Sequence, residues 1–92
     1  MHIQSIMDLD QQVYMNTFGP RIPVAFDHGQ GVTLVDTEGK AYTDFFGGIA
    51  VNALGYGYPS YTAALHAQVD KLLHTSSVYY IENQARLAAE LV

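Results

Sequence analysis

The sequence predicts an α+β fold in which an N-terminal helix precedes a small antiparallel meander and two further helices. Three observations support this prediction. Apolar residues recur at helical spacing near the N terminus, the period falls to two between about residues 24 and 46, and helical spacing returns after Pro59. A chain of 92 residues suffices for one small domain with a modest core.

The first element is predicted to be a short amphipathic helix from about Ile6 to Met15, within a helix-and-loop segment at residues 1–20. Ser5 followed by Asp8 resembles a capping box with Asp in place of Glu. The apolar positions then repeat at helical spacing, at Ile6, Leu9 and Val13. This stripe is narrow, so we expect the helix to lie on a larger body.

An antiparallel meander is predicted over residues 24–46. Its parts are an extended piece at 24–27, a turn at 28–31, a strand at 32–35, a hairpin connection at 37–40 and a strand at 41–46. Within the hairpin connection, Gly39 is free to take a positive φ. A sheet of two or three short strands is marginal alone and needs a neighbour to cover its apolar face.

A glycine pair, Gly47-Gly48, is predicted to end the meander and to begin a glycine-rich crossing over residues 47–58. Backbone without side chains can approach another body closely. The residues alone leave open whether that body is a packed helix or a ligand, and they favour packing.

Two helices are predicted in the last part of the chain, residues 59–92. Pro59 suits a first turn, and apolar residues share one face down to about His74, where residues 75–77 break the helix. Asn83 is predicted to cap the second helix. Its apolar pattern reaches Val92 without a stop signal, so we expect the natural protein to continue beyond it.

Charge and composition argue against several classes of function. The net charge is −5, from four Lys and Arg against nine Asp and Glu, so the chain lacks the basic footprint that nucleic acid requires. No stretch resembles a signal peptide or a membrane span, which predicts a cytoplasmic protein with no membrane partner. Cysteine is absent and the four histidines are too scattered for metal-ligand spacing, so we expect no metal site.

Residue chemistry by itself identifies no catalytic residue. The sequence has no nucleophile–base pair and no phosphate loop. The glycines at 29–31 and 55–57 lack the third glycine of a dinucleotide fingerprint, so turn chemistry explains them better. Composition and spacing therefore leave the function open.

Three motifs together resemble the N-terminal region of class III pyridoxal-phosphate-dependent aminotransferases. They are YMNTFG at residues 14–19, DFFGGIAVNALG at 44–55 and HTSSVYY at 74–80. Within this family the pattern is most similar to the members that act on N-acetylornithine. One departure lies at Tyr56 and Tyr58, where the family usually has histidine before the proline; we expect these tyrosines to affect packing and capping.

The resemblance implies a larger enzyme with the α/β fold of fold-type I pyridoxal-phosphate transferases. Such an enzyme is a homodimer that passes an amino group from an amino acid, here N-acetylornithine, to a 2-oxo acid, here 2-oxoglutarate, in arginine biosynthesis. The family holds its cofactor as a Schiff base on a lysine. Lys40 and Lys71 do not match that position, so the 92-residue chain alone is expected to be inactive and not to bind the cofactor.

The resemblance also suggests roles for five residues. Phe18, Gly48 and Ile49 match substrate-facing positions, with Ile49 as an apolar wall and the glycine allowing close approach. Ser76 and Ser77 match a loop near the cofactor phosphate, and hydroxyls are competent phosphate donors. Without the resemblance, both serines are better explained as a local helix break.

Two alternatives accompany this interpretation. One is another class III aminotransferase, acting on ornithine, succinylornithine or 4-aminobutyrate. The other is a small binding or structural module derived from such an enzyme, without chemistry of its own. A glycine-rich phosphate segment and a later lysine beyond Val92 would separate an enzyme from a module.

Overall fold

The chain forms four helices and one three-stranded antiparallel sheet, which confirms the predicted α+β architecture. The structure is a computed structural model that describes all 92 residues. It consists of two compact units, residues 1–59 and 60–92. The elements in chain order are α1 (Ile3–Val13), β1 (Phe26–Gln30), β2 (Thr33–Asp36), β3 (Ala41–Thr43), α2 (Gly47–Ala50), α3 (Pro59–Lys71) and α4 (Glu82–Leu91).

Helix α1 begins three residues earlier than the sequence predicts. Its N-cap is His2, whose Nδ1 accepts a hydrogen bond from the backbone N–H of Gln4 at 3.3 Å. The predicted capping role of Ser5 is wrong, because an acceptor at residue 2 lets the helix start before Ser5 and places that serine inside it. The helix ends at Val13, since Tyr14 is already extended.

The sheet has the order β1-β2-β3, with both neighbouring pairs antiparallel. Gln30 pairs with Thr33, so the first hairpin turns at residues 31 and 32. The predicted turn at 28–31 is wrong, because strand β1 includes Gly29. A side chain at Gly29 would collide with the ring of Tyr56. A Cβ atom at this glycine would lie 2.8 Å from Cγ of Tyr56, so the ring packs directly on the strand.

The second hairpin is held by Asp36, at the end of β2. One carboxylate oxygen of Asp36 accepts the N–H groups of Glu38 and Lys40, each at 2.9 Å, and the other accepts the hydroxyl of Tyr42 at 3.0 Å. Gly39 has φ +86°, which confirms the positive φ predicted for it. The hairpin connection at 37–40 is therefore confirmed and has a specific side-chain cause.

Strand β3 is shorter than predicted, because it stops at Thr43 instead of Phe46. The next residue, Asp44, bonds the N–H groups of Phe46 and Gly47 and thereby turns the chain away from the sheet.

The second unit contains a helix pair whose ends also differ from expectation. Helix α3 stops at Lys71, before the predicted His74, and the side chain of Gln68 donates to the carbonyl of Leu72 at 2.7 Å beyond its end. Helix α4 begins at Glu82 without a side-chain cap. The predicted cap at Asn83 is wrong, since Asn83 already lies inside the first turn.

Neither unit has a core of its own. No residue of the chain is buried, and several apolar side chains on the helices are half exposed or more, such as Val13 at 75% and Val69 at 55%. Burial of apolar side chains is the dominant stabilising term in folding. These faces therefore leave hydrophobic stabilisation unrealised within this chain. None of the helices has both the length and the apolar character that crossing a membrane requires.

Candidate functional site

The glycine pair begins a left-handed helical turn, α2, which the sequence did not predict. Positive φ angles run through four consecutive residues, at Gly47, Gly48, Ile49 and Ala50, with values of 57°, 63°, 63° and 59°. The turn is closed by backbone hydrogen bonds from Ala50 to the carbonyl of Phe46 at 3.0 Å and from Val51 to that of Gly47 at 2.8 Å. The glycines enter this conformation freely, whereas the two residues after them do not.

Ile49 and Ala50 carry backbone strain. Ile49 has φ 63° and ψ 58°, in the left-handed region that β-branched residues rarely adopt. Left-handed helical backbone costs about 1–2 kcal/mol per residue for side chains other than glycine. Strain of this kind persists only where the surroundings enforce it, and it concentrates at functional sites.

A half-buried hydrogen-bonding group, the Asp44–Tyr56 clasp, holds this turn at both ends. Oδ1 of Asp44 accepts the N–H groups of Phe46 and Gly47, each at 2.9 Å, at the start of the turn. Its Oδ2 accepts the hydroxyl of Tyr56 at 2.6 Å. The same hydroxyl accepts a hydrogen bond from Nδ2 of Asn52 at 3.2 Å, just after the turn.

The backbone of Tyr56 is fixed to the first hairpin. Gly31 and Tyr56 exchange two backbone hydrogen bonds, of 2.8 and 2.9 Å, and so form an isolated antiparallel bridge. The approach is close, because a Cβ atom on Gly55 would lie 2.6 Å from the carbonyl oxygen of Gly31. The sheet, the clasp and the left-handed turn therefore form one connected piece of structure.

The hydrogen bonds of the clasp shift the ionisation of both its members. The hydroxyl of Tyr56, followed by the N–H groups of Gly47 and Phe46, stabilises the carboxylate and lowers the pKa of Asp44 below 3.8. The bond to Asp44 raises the pKa of Tyr56 above 10.0, because the phenol donates to a carboxylate that would repel a phenolate. At neutral pH the clasp therefore joins a charged acceptor to a neutral donor.

These shifts predict how the clasp responds to pH. A carboxylate whose pKa is lower in the folded state stabilises that state above its unfolded pKa, and the contribution disappears as pH falls through the folded value. The stability advantage of the wild-type full-length protein over Asp44→Asn is thus expected to be constant near neutral pH and to vanish in acid. Denaturant midpoints measured at stepped pH test this expectation.

The matched control for this titration is Glu90→Gln, which removes an exposed carboxylate from α4. The difference in denaturant midpoint between Glu90→Gln and wild type should not change over the pH range in which Asp44 becomes protonated. An advantage over Asp44→Asn that persists unchanged to the lowest pH would contradict the assignment of the charge-assisted bond.

The residues predicted to face substrate lie in the first unit but not in one groove. Ile49 is 74% exposed on the left-handed turn, next to Gly48. Phe18 is 70% exposed in the loop after α1, with its ring centroid 6.4 Å from that of Tyr14. It lines a groove of about 460 Å³ between α1 and that loop, whose lining does not include the turn. Their shared substrate role stays a prediction.

The residues predicted to face the cofactor phosphate lie in the second unit, in the loop after α3. Ser76 is half-buried and has φ 72°, and its Oγ accepts a hydrogen bond from the N–H of Val78 at 3.3 Å. Ser77 is exposed. The predicted helix break at residues 75–77 is wrong, because α3 already ends at Lys71. The serines lie in the loop beyond it, and their hydroxyl hydrogens can still donate to a phosphate. Their cofactor role stays a prediction.

Neither lysine of the chain is placed in a cofactor-like setting. Nζ of Lys40 lies 5.0 Å from the ring centroid of Tyr42, on the second hairpin. Lys71 forms the end of α3. The donors that suit a phosphate are therefore present in this chain at Ser76 and Ser77, whereas nothing marks Lys40 or Lys71 as the amine that would hold the cofactor.

Neither Asp44 nor Asn52 was predicted from the sequence to be a site residue, and Tyr56 was predicted only to affect packing and capping. One signal was available, because an aspartate directly after a strand and three residues before a glycine is typical of a side chain that bonds the following backbone. The partnership with Tyr56 had no such signal, since it joins residues twelve positions apart.

Comparison with known proteins identifies the family. The family described as "Aminotransferase class-III" matches residues 14–92. An acetylornithine aminotransferase of Synechocystis is 49% identical over 85 residues, which are 92% of this chain and 19% of that protein. One from Aquifex aeolicus is 53% identical over 78 residues, or 85% of this chain and 20% of that protein. The chain thus spans about a fifth of the length of the curated relatives it matches.

Solved structures agree in fold. The acetylornithine aminotransferase of Elizabethkingia anophelis has a TM-score of 0.88 at 27% identity, and the match covers 99% of this chain and 24% of that protein. The N-acetylornithine aminotransferase of Stenotrophomonas maltophilia has a TM-score of 0.80 at 38% identity, with coverages of 94% and 22%. An ornithine aminotransferase of Toxoplasma gondii has a TM-score of 0.83 at 26% identity, with coverages of 98% and 22%. The chain therefore belongs to the class III aminotransferase family.

Proposed function

We propose that this chain is the N-terminal segment of a pyridoxal-phosphate-dependent transaminase. The full-length enzyme transfers the amino group of N-acetylornithine to 2-oxoglutarate in arginine biosynthesis. It is a cytoplasmic homodimer with the α/β fold of fold-type I transferases. Within it, residues 1–20 form a helix and loop, 24–46 the meander, 47–58 the glycine-rich crossing and 59–92 a helical part.

One observation carries the proposal, namely the identity with acetylornithine aminotransferases over nearly the whole chain. It reaches 49% over 92% of the chain with the Synechocystis protein and 53% over 85% with the Aquifex protein. The strained turn supports a functional role for the same region, because a β-branched residue held at positive φ is typical of sites where geometry matters more than local stability.

The residues of this chain contribute substrate and phosphate contacts. Ile49 provides an apolar wall beside the substrate side chain, and Gly48 leaves room for close approach of the backbone. Phe18 adds a second apolar surface. Ser76 and Ser77 donate hydroxyl hydrogens to the cofactor phosphate, and pyridoxal phosphate, when bound, supplies the electron sink that amino-group transfer needs.

The exposed apolar faces support the larger assembly. A chain in which no residue is buried does not bury enough surface to stabilise itself, so its helices and sheet pack against other parts of the enzyme and its second subunit. Because neither Lys40 nor Lys71 matches the position of the family's cofactor lysine, we expect the 92-residue chain alone to be inactive.

Ornithine is the second candidate for the amino donor. The Toxoplasma ornithine aminotransferase matches nearly the whole chain with a TM-score of 0.83, close to the value for the acetylornithine enzymes. Its identity of 26% is lower than the 49% and 53% of the Synechocystis and Aquifex acetylornithine aminotransferases, which favours N-acetylornithine.

The proposal is tested by assaying the full-length protein for glutamate formed from 2-oxoglutarate with N-acetylornithine or with ornithine. We expect a higher kcat/KM for N-acetylornithine. Borohydride reduction should trap stoichiometric pyridoxal phosphate on the full-length protein and none on the 92-residue chain.

A double variant, Lys40→Arg with Lys71→Arg, serves as the matched control and should keep the trapped label. Absence of glutamate formation with either donor would contradict the function. Label trapped stoichiometrically on the 92-residue chain would contradict the assignment of the cofactor lysine to another part of the enzyme.

A further inference from the structure

We propose that Tyr56 is a positioning residue for substrate selection, acting through the hydrogen bond of its hydroxyl to Asp44. This bond keeps the turn at residues 47–50 in its left-handed form and so holds Ile49 against the substrate. The inference rests on the proposed function, because it assumes that Ile49 forms part of the substrate pocket.

The left-handed turn at residues 47–50 is strained, so it should relax if the hydrogen bonds that hold it are removed. Ile49 and Ala50 both occupy positive φ, which side chains other than glycine disfavour. The glycines before them permit either hand of backbone, so they do not enforce the left-handed form. Something outside the turn must therefore select it.

The Asp44–Tyr56 clasp is placed to do so. Asp44 bonds the first N–H groups of the turn, and Tyr56 joins Asp44 to Asn52 on the far side. The backbone of Tyr56 is itself anchored to Gly31 in the sheet. Its hydroxyl thus connects the turn to a fixed body, and the 2.6 Å bond to a carboxylate is of the strong, charge-assisted kind.

The test compares Tyr56→Phe with wild type in the full-length enzyme. The variant keeps the ring that packs on Gly29 and the backbone bridge, and it loses only the hydroxyl. We expect KM for N-acetylornithine to rise roughly tenfold, about the loss of one hydrogen bond to a charged group, while kcat stays within about twofold. This split follows because an apolar wall contacts ground state and transition state alike.

The sheet offers a matched control in Tyr42→Phe. Tyr42 donates its hydroxyl to Asp36, whose other oxygen also accepts two backbone N–H groups, so the two groups have the same chemistry. The Tyr42–Asp36 pair holds the second hairpin and makes no hydrogen bond to the left-handed turn. Its variant should leave KM for N-acetylornithine unchanged.

Two further measurements separate positioning from general damage. Asp44→Asn removes the charge of the acceptor and should raise KM for N-acetylornithine in the same direction as Tyr56→Phe. In an Ile49→Ala background, Tyr56→Phe should change KM by less than about twofold, because both substitutions act at the same contact.

Hydrogen exchange gives a readout that does not depend on activity. The amides of Ala50 and Val51 close the turn, so Tyr56→Phe should speed their exchange and Tyr42→Phe should not. Unchanged exchange, an unchanged KM, or an equal effect of Tyr56→Phe with and without Ile49 would each overturn the inference.

Failure of the proposed function is recognised separately. A wild-type enzyme without N-acetylornithine activity, or an Ile49→Ala variant with unaltered KM, contradicts the substrate assignment before any Tyr56 variant is made. In either case Tyr56 loses its proposed role in substrate selection.

Discussion

Replacing Gly55 by alanine is expected to destabilise the full-length enzyme by roughly 2–5 kcal/mol, the sum of left-handed strain and overpacking. Gly55 has φ 73°, and an added Cβ would lie 2.6 Å from the carbonyl oxygen of Gly31. That oxygen belongs to the backbone and is bonded to Tyr56, so it cannot move without breaking the bridge. A lower denaturant midpoint measures the effect.

Gly57→Ala is the matched control for this substitution. Gly57 has a similar φ of 67°, but a Cβ atom there meets nothing within 4 Å. This variant should therefore be destabilised only by the left-handed strain of the new side chain, about 1–2 kcal/mol. Equal midpoints for the two variants would show that the close approach to the hairpin contributes nothing.

Replacing Ile49 by alanine is expected to lower kcat/KM for N-acetylornithine by about 10- to 200-fold, the range for small changes in an apolar substrate pocket. Alanine keeps the positive φ and its strain, so the turn should persist while the apolar wall is lost. The ratio of kcat/KM for N-acetylornithine to that for ornithine should change as well, and steady-state kinetics with both donors measures it.

Val51→Ala provides the comparison. Val51 is as exposed as Ile49, both at 74%, and lies two residues further along with φ −96°. It has no proposed contact with substrate and should keep both kcat/KM values. A loss in Val51→Ala as large as that in Ile49→Ala would remove Ile49 from the pocket.

Much of the element order could be predicted, because it depends on local patterns. The change of hydrophobic period located the meander between helices, and Gly39 marked the second hairpin correctly. Element ends were less accurate, since Ser5 and Asn83 look like caps but the helices begin elsewhere. A cap depends on which side-chain acceptor the folded chain brings to the first free N–H groups.

The candidate site could be predicted only in part. The glycine pair and the resemblance indicated residues 47–49, but not the hand of the turn. Isoleucine favours extended backbone, so local preference predicts the opposite conformation for Ile49. The position of Phe18 could not be predicted either. Its loop lies against α1, where Arg21 forms an ion pair with Asp10, and no local pattern indicates a contact between residues eleven positions apart.

The sequence by itself determined the α+β order of elements, which rests on hydrophobic periodicity. It also determined membership of the class III aminotransferase family, which rests on its similarity to known members. Only the tertiary structure decided the left-handed turn and the clasp that holds it. Asp44, Tyr56 and the glycines at 29, 31 and 55 meet through contacts between distant parts of the chain. Such contacts offset the strain at Ile49, and no local pattern encodes them.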